Sequence, residues 1–332
     1  MEILVISQNE VASLLPMDEC IEVMADALKA VTQGDVILPL RPVLWLPEKR
    51  GALGMMPAYM GGPMIMGVKL VSVFPENEGT EYDSHQGAVL LFEAQHGRLL
   101  ALMDSSSITG IRTAGVTGLA TRLLAREDAG DLAILGSGVQ ARTHLEAMLL
   151  VRKMRRVRVW SRNPDHTHEF AARESARLGI AVEVKDSVRE TVQNADIICT
   201  TTAAPEPILF RDMVSDGAHI NAVGSSVPFT RELDTPLVAG SKLFVDRRES
   251  VLNEAGDFLF PQKEGVIDKK HILGEIGELL IGRIGGRKSP EEITLFKSLG
   301  LAVEDLAAAN HVYRKAMERG VGTSVELGGV RQ

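Results

Sequence analysis

The stretch ILGSGVQARTHLEAM, residues 134–148, decides the fold. The apolar run DLAIL (131–135) leads into Gly136-x-Gly138-x-x-Ala141, and the helical stretch GVQARTHLEAMLLVRK follows. Strand, glycine turn and helix in that order open a dinucleotide-binding βαβ unit. Gly136 permits the tight turn, Gly138 lets the backbone approach a pyrophosphate, and Ala141 keeps helix and strand close. The first N–H groups of the helix then face the phosphates, with Val139 and Gln140 at its start. The motif alone is weak, since a plain glycine-rich strand–helix turn carries the same letters; its flanks strengthen it.

Outward from residue 131, further strand candidates are RVRVW, AVEVK, DIICTT, HINAVG and LFVD, with helical stretches between several of them, notably HTHEFAARESARLG. That alternation predicts a parallel sheet built from βαβ units. Beyond it, LGEIGELLIGRIGG reads as helix or loop, and 293–320 (ITLFKSLGLAVEDLAAANHVYRKAMERG) as one long amphipathic helical pattern. Ahead of the turn lie a short strand at 3–6 and a helix in which Ile21, Met24, Leu28 and Val31 recur at three and four residues and Gly34 ends the run. RPVLWLP, GALGMMPAYM, IMGVKLVSVF, GAVLLFEA and GRLLALMD predict one antiparallel sheet with hairpin connections. The small-residue-rich stretch DSSSITGIRTAGVTGLATRLLA follows, and REDAGD marks a boundary. The expected fold is α/β: a Rossmann domain at 126–305, and an α+β substrate and dimerisation domain at 1–125 completed by 306–332.

The chain has 332 residues, 45% of them hydrophobic and 24% charged, as in an ordinary globular protein. A net charge of −8 argues against nucleic acid or an anionic membrane as partner. The basic cluster VRKMRRVRVW (151–160) reads as a solvated helix end entering a strand. No apolar run approaches the roughly 20 residues of a membrane span. The N-terminus has no signal-peptide pattern, and the two cysteines form no CxxC pair, so a cytoplasmic protein is expected. No HExxH or Cys/His cluster is present, so no metal is expected.

The end of the second strand bears on the cofactor. An NAD site usually has Asp or Glu there to hold the ribose hydroxyls. Here the residues are Ser161, Arg162 and Asn163. Arg162 suits a 2′-phosphate, with Ser161 and Asn163 as hydrogen-bonding neighbours, which favours NADPH with NADH as a second cofactor. The bland alternative is a surface-loop arginine. In the front segment, Arg41, Lys69 and Arg112 stand in apolar or small-residue surroundings. Each alone reads as structural or solvated; together with a cofactor domain they suggest an anion site. His85 opens a strand, in either a structural or a site role.

The chain resembles the ornithine cyclodeaminase/mu-crystallin family over nearly its whole length. The resemblance is carried by RPV around Arg41, GMMPAY (54–59), VKLV around Lys69, SHQGAVLLFE (84–93), ITGIRTAGV (108–116), ILGSGVQA, AHINAVGSSVP (218–228), REL (231–233), GDFL (256–259), GEIGELLIG and TLFKSLGLAVED (294–305). It is closer to the mu-crystallin-like ketimine reductases than to the cyclodeaminases. It implies a homodimer, with Arg41, Lys69 and Arg112 around a substrate carboxylate and Met56 in the pocket wall. Ser84, His85, Arg112, Thr113, Thr201, Thr202, Val223 and Ser298 are expected near the cofactor. The 2′-phosphate is expected at Ser161, Arg162 and Asn163. Where the cyclodeaminases and related alanine dehydrogenases have an Asp after the AVG strand, this chain has Ser226, which disfavours ornithine cyclisation. Glu254 is a candidate carboxylate at the pocket rim. The implied activity is NADPH-dependent reduction of a small cyclic ketimine carboxylate, with Lys69, Arg112 and Ser226 as catalytic candidates. Alternatives are a cyclodeaminase, an alanine dehydrogenase or reductive aminase, and a non-catalytic NADPH-dependent binding protein.

Overall fold

The computed structural model describes residues 2–77 and 79–329. In chain order the first elements are β1 (Glu2–Ile6), α1 (Gln8–Leu14), α2 (Met17–Gln33), β2 (Val36–Ile37), β3 (Val43–Trp45), β4 (Ala52–Met60), β5 (Ile65–Val73), β6 (His85–Glu93), β7 (Leu99–Asp104) and α3 (Ser105–Leu124). Then follow β8 (Asp131–Leu135), α4 (Val139–Val151), β9 (Arg156–Trp160), α5 (Pro164–Leu178), β10 (Val182–Val184), α6 (Val188–Val192), β11 (Ile197–Thr200), β12 (His219–Ala222), α7 (Thr235–Gly240), β13 (Lys242–Val245), α8 (Arg248–Glu254), α9 (Gly256–Lys263), β14 (Ile272–Glu275), α10 (Ile276–Leu280) and β15 (Thr294–Lys297). The chain closes with α11 (Ala302–Arg319) and β16 (Thr323–Glu326).

Two compact units result, one of residues 1–112 with 300–332 and one of 113–299. The divisions fall at Arg112/Thr113 and Leu299/Gly300, where the sequence pattern placed them at 125/126 and 305/306. The first lies inside α3, because an unbroken helix carries no compositional mark of where its packing partners change.

In the first unit the sheet runs β16-β1-β7-β6-β5-β4-β2, with β3 paired to β4. The hairpin series β4–β7 is antiparallel as its turn residues predict, but β1 lies parallel to β7 and antiparallel to β16, so the sheet is mixed. A fully antiparallel reading missed this because β1 reaches β7 only through a long excursion of chain. The stripe of α2 buries Ile21, Met24 and Leu28, and Gly34 caps it in the left-handed conformation at φ +81°. α11 packs on α2 and on β4, β5 and β6, placing the C-terminal helix in the N-terminal unit.

In the second unit all strands are parallel, in the order β10-β9-β8-β11-β12-β15-β13-β14. The order reverses between β8 and β11, where ligands bind at the strands' C-terminal ends in such sheets. β8 and β11 are buried on both faces and accordingly read as unbroken apolar runs. Two strands differ from their sequence reading. TLFK is not the start of a long helix but β15, wholly buried between β12 and β13, and β14 lies in the segment read as helix or loop. A four-residue apolar run has no period to separate strand from buried helix.

Among the described residues no helix is long and apolar enough to cross a membrane, and no group of three or more His, Cys, Asp or Glu is placed to hold a metal ion.

Candidate active site

Lys69 lies in the middle of β5, directly across from Met56 on β4 and Val89 on β6. Its side chain is only 3% exposed, and its ammonium nitrogen lies 2.8 Å from Asp305 Oδ2 and donates to Thr109 Oγ1 at 3.2 Å. Asp305 Oδ1 accepts from Arg112 Nε at 2.8 Å, and Arg112 Nη1 donates to Glu304 Oε2 at 2.8 Å. The first turn of α11 thus delivers two adjacent carboxylates to cations on β5 and α3. Its approach depends on Gly300, at φ +76°, where a Cβ would stand 2.3 Å from Arg112 Nη1.

The formal charges of Lys69, Arg112, Glu304 and Asp305 cancel. Burial alone raises the Asp305 carboxyl, but Arg112 and then Lys69 more than reverse this and hold it below the ordinary carboxylate value. For Lys69, burial is the largest influence and lowers its pKa, Asp305 opposes it, and Arg112 and Arg41 lower it further, leaving about 8. Arg41, half-buried just before β3, is therefore close enough to act electrostatically on Lys69. His85 opens β6; desolvation and the Lys69 charge lower its pKa, and its Nδ1 lies 3.0 Å from Ser84 Oγ.

The expected trio Arg41, Lys69 and Arg112 lies in the first unit with Met56, Ser84 and His85. One difference is plain: Arg112 was read as a fork for a ligand carboxylate, and Glu304 and Asp305 already engage it. Sequence reasoning missed both acids. Acidic residues are common in a helix's first turn because they complement its dipole, so nothing in the letters VED marks them as buried counter-ions.

In the second unit, Gly136 turns at φ +126°, and a Cβ there would lie 2.6 Å from Thr201 Oγ1 and 2.7 Å from Thr201 O. A Cβ on Gly138 would meet nothing within 4 Å. No side chain caps α4, Val139 at its first position is 58% exposed, and the buried Gln140 Oε1 has no hydrogen-bond partner among the described residues. Open space over uncapped N–H groups fits a nucleotide pyrophosphate. Past β9, Arg162 is exposed, and Ser161 Oγ contacts Ser137 Oγ at 3.0 Å and Thr167 Oγ1 at 2.6 Å. Asn163, expected as a ligand donor, caps α5 by accepting from Asp165 N at 3.0 Å.

Thr201, Val223 and Ser298 follow β11, β12 and β15 directly, so they sit side by side at the C-terminal edge of one sheet. Thr113 is buried at the start of the unit, Ser226 is half-buried in the loop after β12, and Glu254 ends α8. Three further charged residues, Glu232, Asp257 and Lys297, carry no local mark in the sequence. Glu232 accepts from Thr200 Oγ1 at 2.6 Å, Thr202 N at 2.8 Å, Thr202 Oγ1 at 2.7 Å and Gly224 N at 2.7 Å. Asp257 accepts from the backbone N of Glu232 and lies 3.0 Å from Lys297 Nζ.

The fold and the relatives define a nicotinamide-dinucleotide-dependent oxidoreductase. The chain belongs to the ornithine cyclodeaminase/mu-crystallin family, which it matches over residues 1–320. It is 38% identical over 325 residues to a Delta(1)-pyrroline-2-carboxylate reductase of Bacillus cereus, covering 98% of this chain and 100% of that protein. It is 43% identical over 280 residues to the ketimine reductase mu-crystallin of Mus musculus, covering 84% and 85%. The structure of the Thermococcus litoralis Delta(1)-pyrroline-2-carboxylate reductase in complex with NADH and L-proline superposes with a TM-score of 0.95 at 40% identity, covering 97% of this chain and 100% of that one.

Proposed function

We propose that the protein reduces a small cyclic ketimine carboxylate, 1-pyrroline-2-carboxylate or 1-piperideine-2-carboxylate, to the L-imino acid, with NADPH preferred and NADH accepted. The observation that carries this reading is Lys69: an ammonium buried in the middle of β5, 2.8 Å from Asp305 Oδ2, with burial lowering its pKa to about 8, suits a proton donor. A nicotinamide nucleotide, when held by the second unit, would supply the hydride for the imine carbon. Lys69 gives its proton to the imine nitrogen, so the C=N bond becomes CH–NH. Because the two acids already balance Lys69 and Arg112, Arg41 brings the additional positive charge that a substrate carboxylate requires. Arg41 orients the carboxylate beside Arg112, which Glu304 and Asp305 hold in place, and this supplies proximity and alignment. Met56, opposite Lys69, lines the apolar wall.

Gly136, Gly138, Val139 and Gln140 hold the pyrophosphate. Thr201, Thr202, Val223 and Ser298 bound the nicotinamide half, and Thr113 is a further cofactor contact. Ser161, Arg162 and Asn163 receive the 2′-phosphate. Arg162→Asp is expected to weaken NADPH by about 10- to 100-fold, the size of a lost charge-assisted contact plus a new repulsion, and to leave NADH nearly unchanged. Equal Kd changes for both nucleotides would remove Arg162 from cofactor choice.

The protein is proposed to act as a homodimer. Leu44 on β3 and Leu53 on β4 lie directly opposite each other and are 52% and 38% exposed, an apolar patch that a second copy would cover. A monomer mass by light scattering would overturn this. The test of the activity is NADPH and NADH oxidation with each cyclic imine, against pyruvate plus ammonia or methylamine. Turnover confined to the oxo acid and amine would favour reductive amination, and no turnover with any of them would favour a binding protein.

A further inference from the structure

The second unit holds a buried charged network that the reaction above does not use. Glu232 is fully buried, and its two carboxylate oxygens take up four donors: two hydroxyls and two backbone N–H groups. Those donors come from the end of β11 and the loop after it, Thr200 and Thr202, and from Gly224 after β12. Burial and the nearby Asp257 raise the carboxyl's pKa, opposed by Lys297 and the hydrogen bonds from Thr200 and Thr202, while each carboxyl oxygen also accepts from a backbone N–H, Thr202 N on one and Gly224 N on the other. Asp257 fixes the segment carrying Glu232 by accepting from the backbone N–H groups of Glu232 at 2.8 Å and Leu233 at 3.0 Å. Its other oxygen pairs with Lys297 of β15, and Lys297 Nζ donates to Ala222 O at 3.2 Å and Ser225 O at 2.5 Å. Ser225 Oγ in turn donates to Thr230 O at 2.6 Å, closing the loop.

These bonds tie together the ends of β11, β12 and β15, the loops after β11 and β12, and the start of α9. Two buried acids and one buried lysine are a costly way to hold loops that ordinary turn residues could close, since each buried ion must be compensated in full. What they hold is the C-terminal edge of β11, β12 and β15, where ligands sit on a parallel sheet. We propose that Glu232, braced by Asp257 and Lys297, is a positioning residue that sets the loops after β11 and β12 for the nicotinamide half of the cofactor and for Ser226. It does so without touching either. The proposal rests on the assignment above of Thr201, Thr202 and Val223 to the nucleotide.

The adenine half of a dinucleotide lies across β8 and β9, on the other side of the order reversal, so the two halves can be tested separately. Glu232→Gln places an amide N–H₂ against donors that need an acceptor. It is expected to weaken NADPH by about 10-fold or more, the range of a hydrogen bond to a charged group. Adenosine 2′,5′-bisphosphate, which lacks the nicotinamide half, should bind as tightly as to the wild type. Thr200→Val removes one donor without changing shape and should give a smaller shift of the same pattern, so it decides the matter if Glu232→Gln does not fold. Equal weakening of both nucleotides, or of neither, in the folded variants would overturn the proposal. A wild-type protein that binds NADPH but reduces no imine would overturn the substrate reading alone, because the differential binding is measured without turnover.

Discussion

Lys69→Met is expected to lower turnover of the cyclic imine by about 10²- to 10⁴-fold, the usual contribution of a positioned general acid. NADPH binding, in which Lys69 has no proposed part, should stay at its wild-type value. The pH profile makes the assignment specific. A general acid must be protonated, so kcat/KM should be at its plateau below the Lys69 pKa of about 8 and fall as pH rises through it. That alkaline limb should vanish in the residual activity of Lys69→Met. Near-wild-type turnover, or an unchanged limb, would remove Lys69 from the mechanism. The same shift has a sign in stability. The unfolded chain holds this proton up to about pH 10.4. Between about 8 and that value the unfolded state therefore binds the extra proton, and stability gains from this group as pH rises and loses as pH falls back through 8.

Asp305→Asn should produce the second large effect, on stability and on the same limb. The carboxylate bridges Lys69 and Arg112 with one oxygen each. An asparagine can still accept from Arg112, but its amide nitrogen cannot accept from Lys69. Breaking a buried ion pair from one side typically costs about 3–5 kcal/mol, which a urea midpoint would report. Asp305 is also the main influence raising the Lys69 pKa against burial, so its loss should drive the lysine towards the neutral amine and move the alkaline limb to lower pH. A limb that stays in place or moves up would show that Asp305 does not tune Lys69.

The two acids show where reading the sequence stopped. Lys69 and Arg112 stood out because cations amid apolar and small residues are unusual. Glu304 and Asp305 did not, because acids opening a helix are common and the burial of that turn is decided by strands more than 200 residues earlier in the chain. Glu232, Asp257 and Lys297 escaped notice for a related reason. REL and GDFL carried the family resemblance, yet single charges separated by 25 and 40 residues give no local signal that they will meet. Lys297 was hidden further by lying in a short apolar run that reads equally as helix.

Features whose cause is local are legible in the residues alone. These are the glycine turn between strand and helix, the alternation that makes a parallel sheet, the stripe and glycine stop of α2, and the absence of an acid at 161–163. Each follows from backbone freedom or side-chain period within a few residues. The tertiary structure alone decided that β1 runs parallel to β7, that TLFK is a central strand, that α11 belongs to the first unit, and which acids answer which cations. Those depend on contacts between distant segments. In a buried site the pKa of Lys69 is set by what surrounds it in space, so its chemistry is a property of the fold rather than of VKLV.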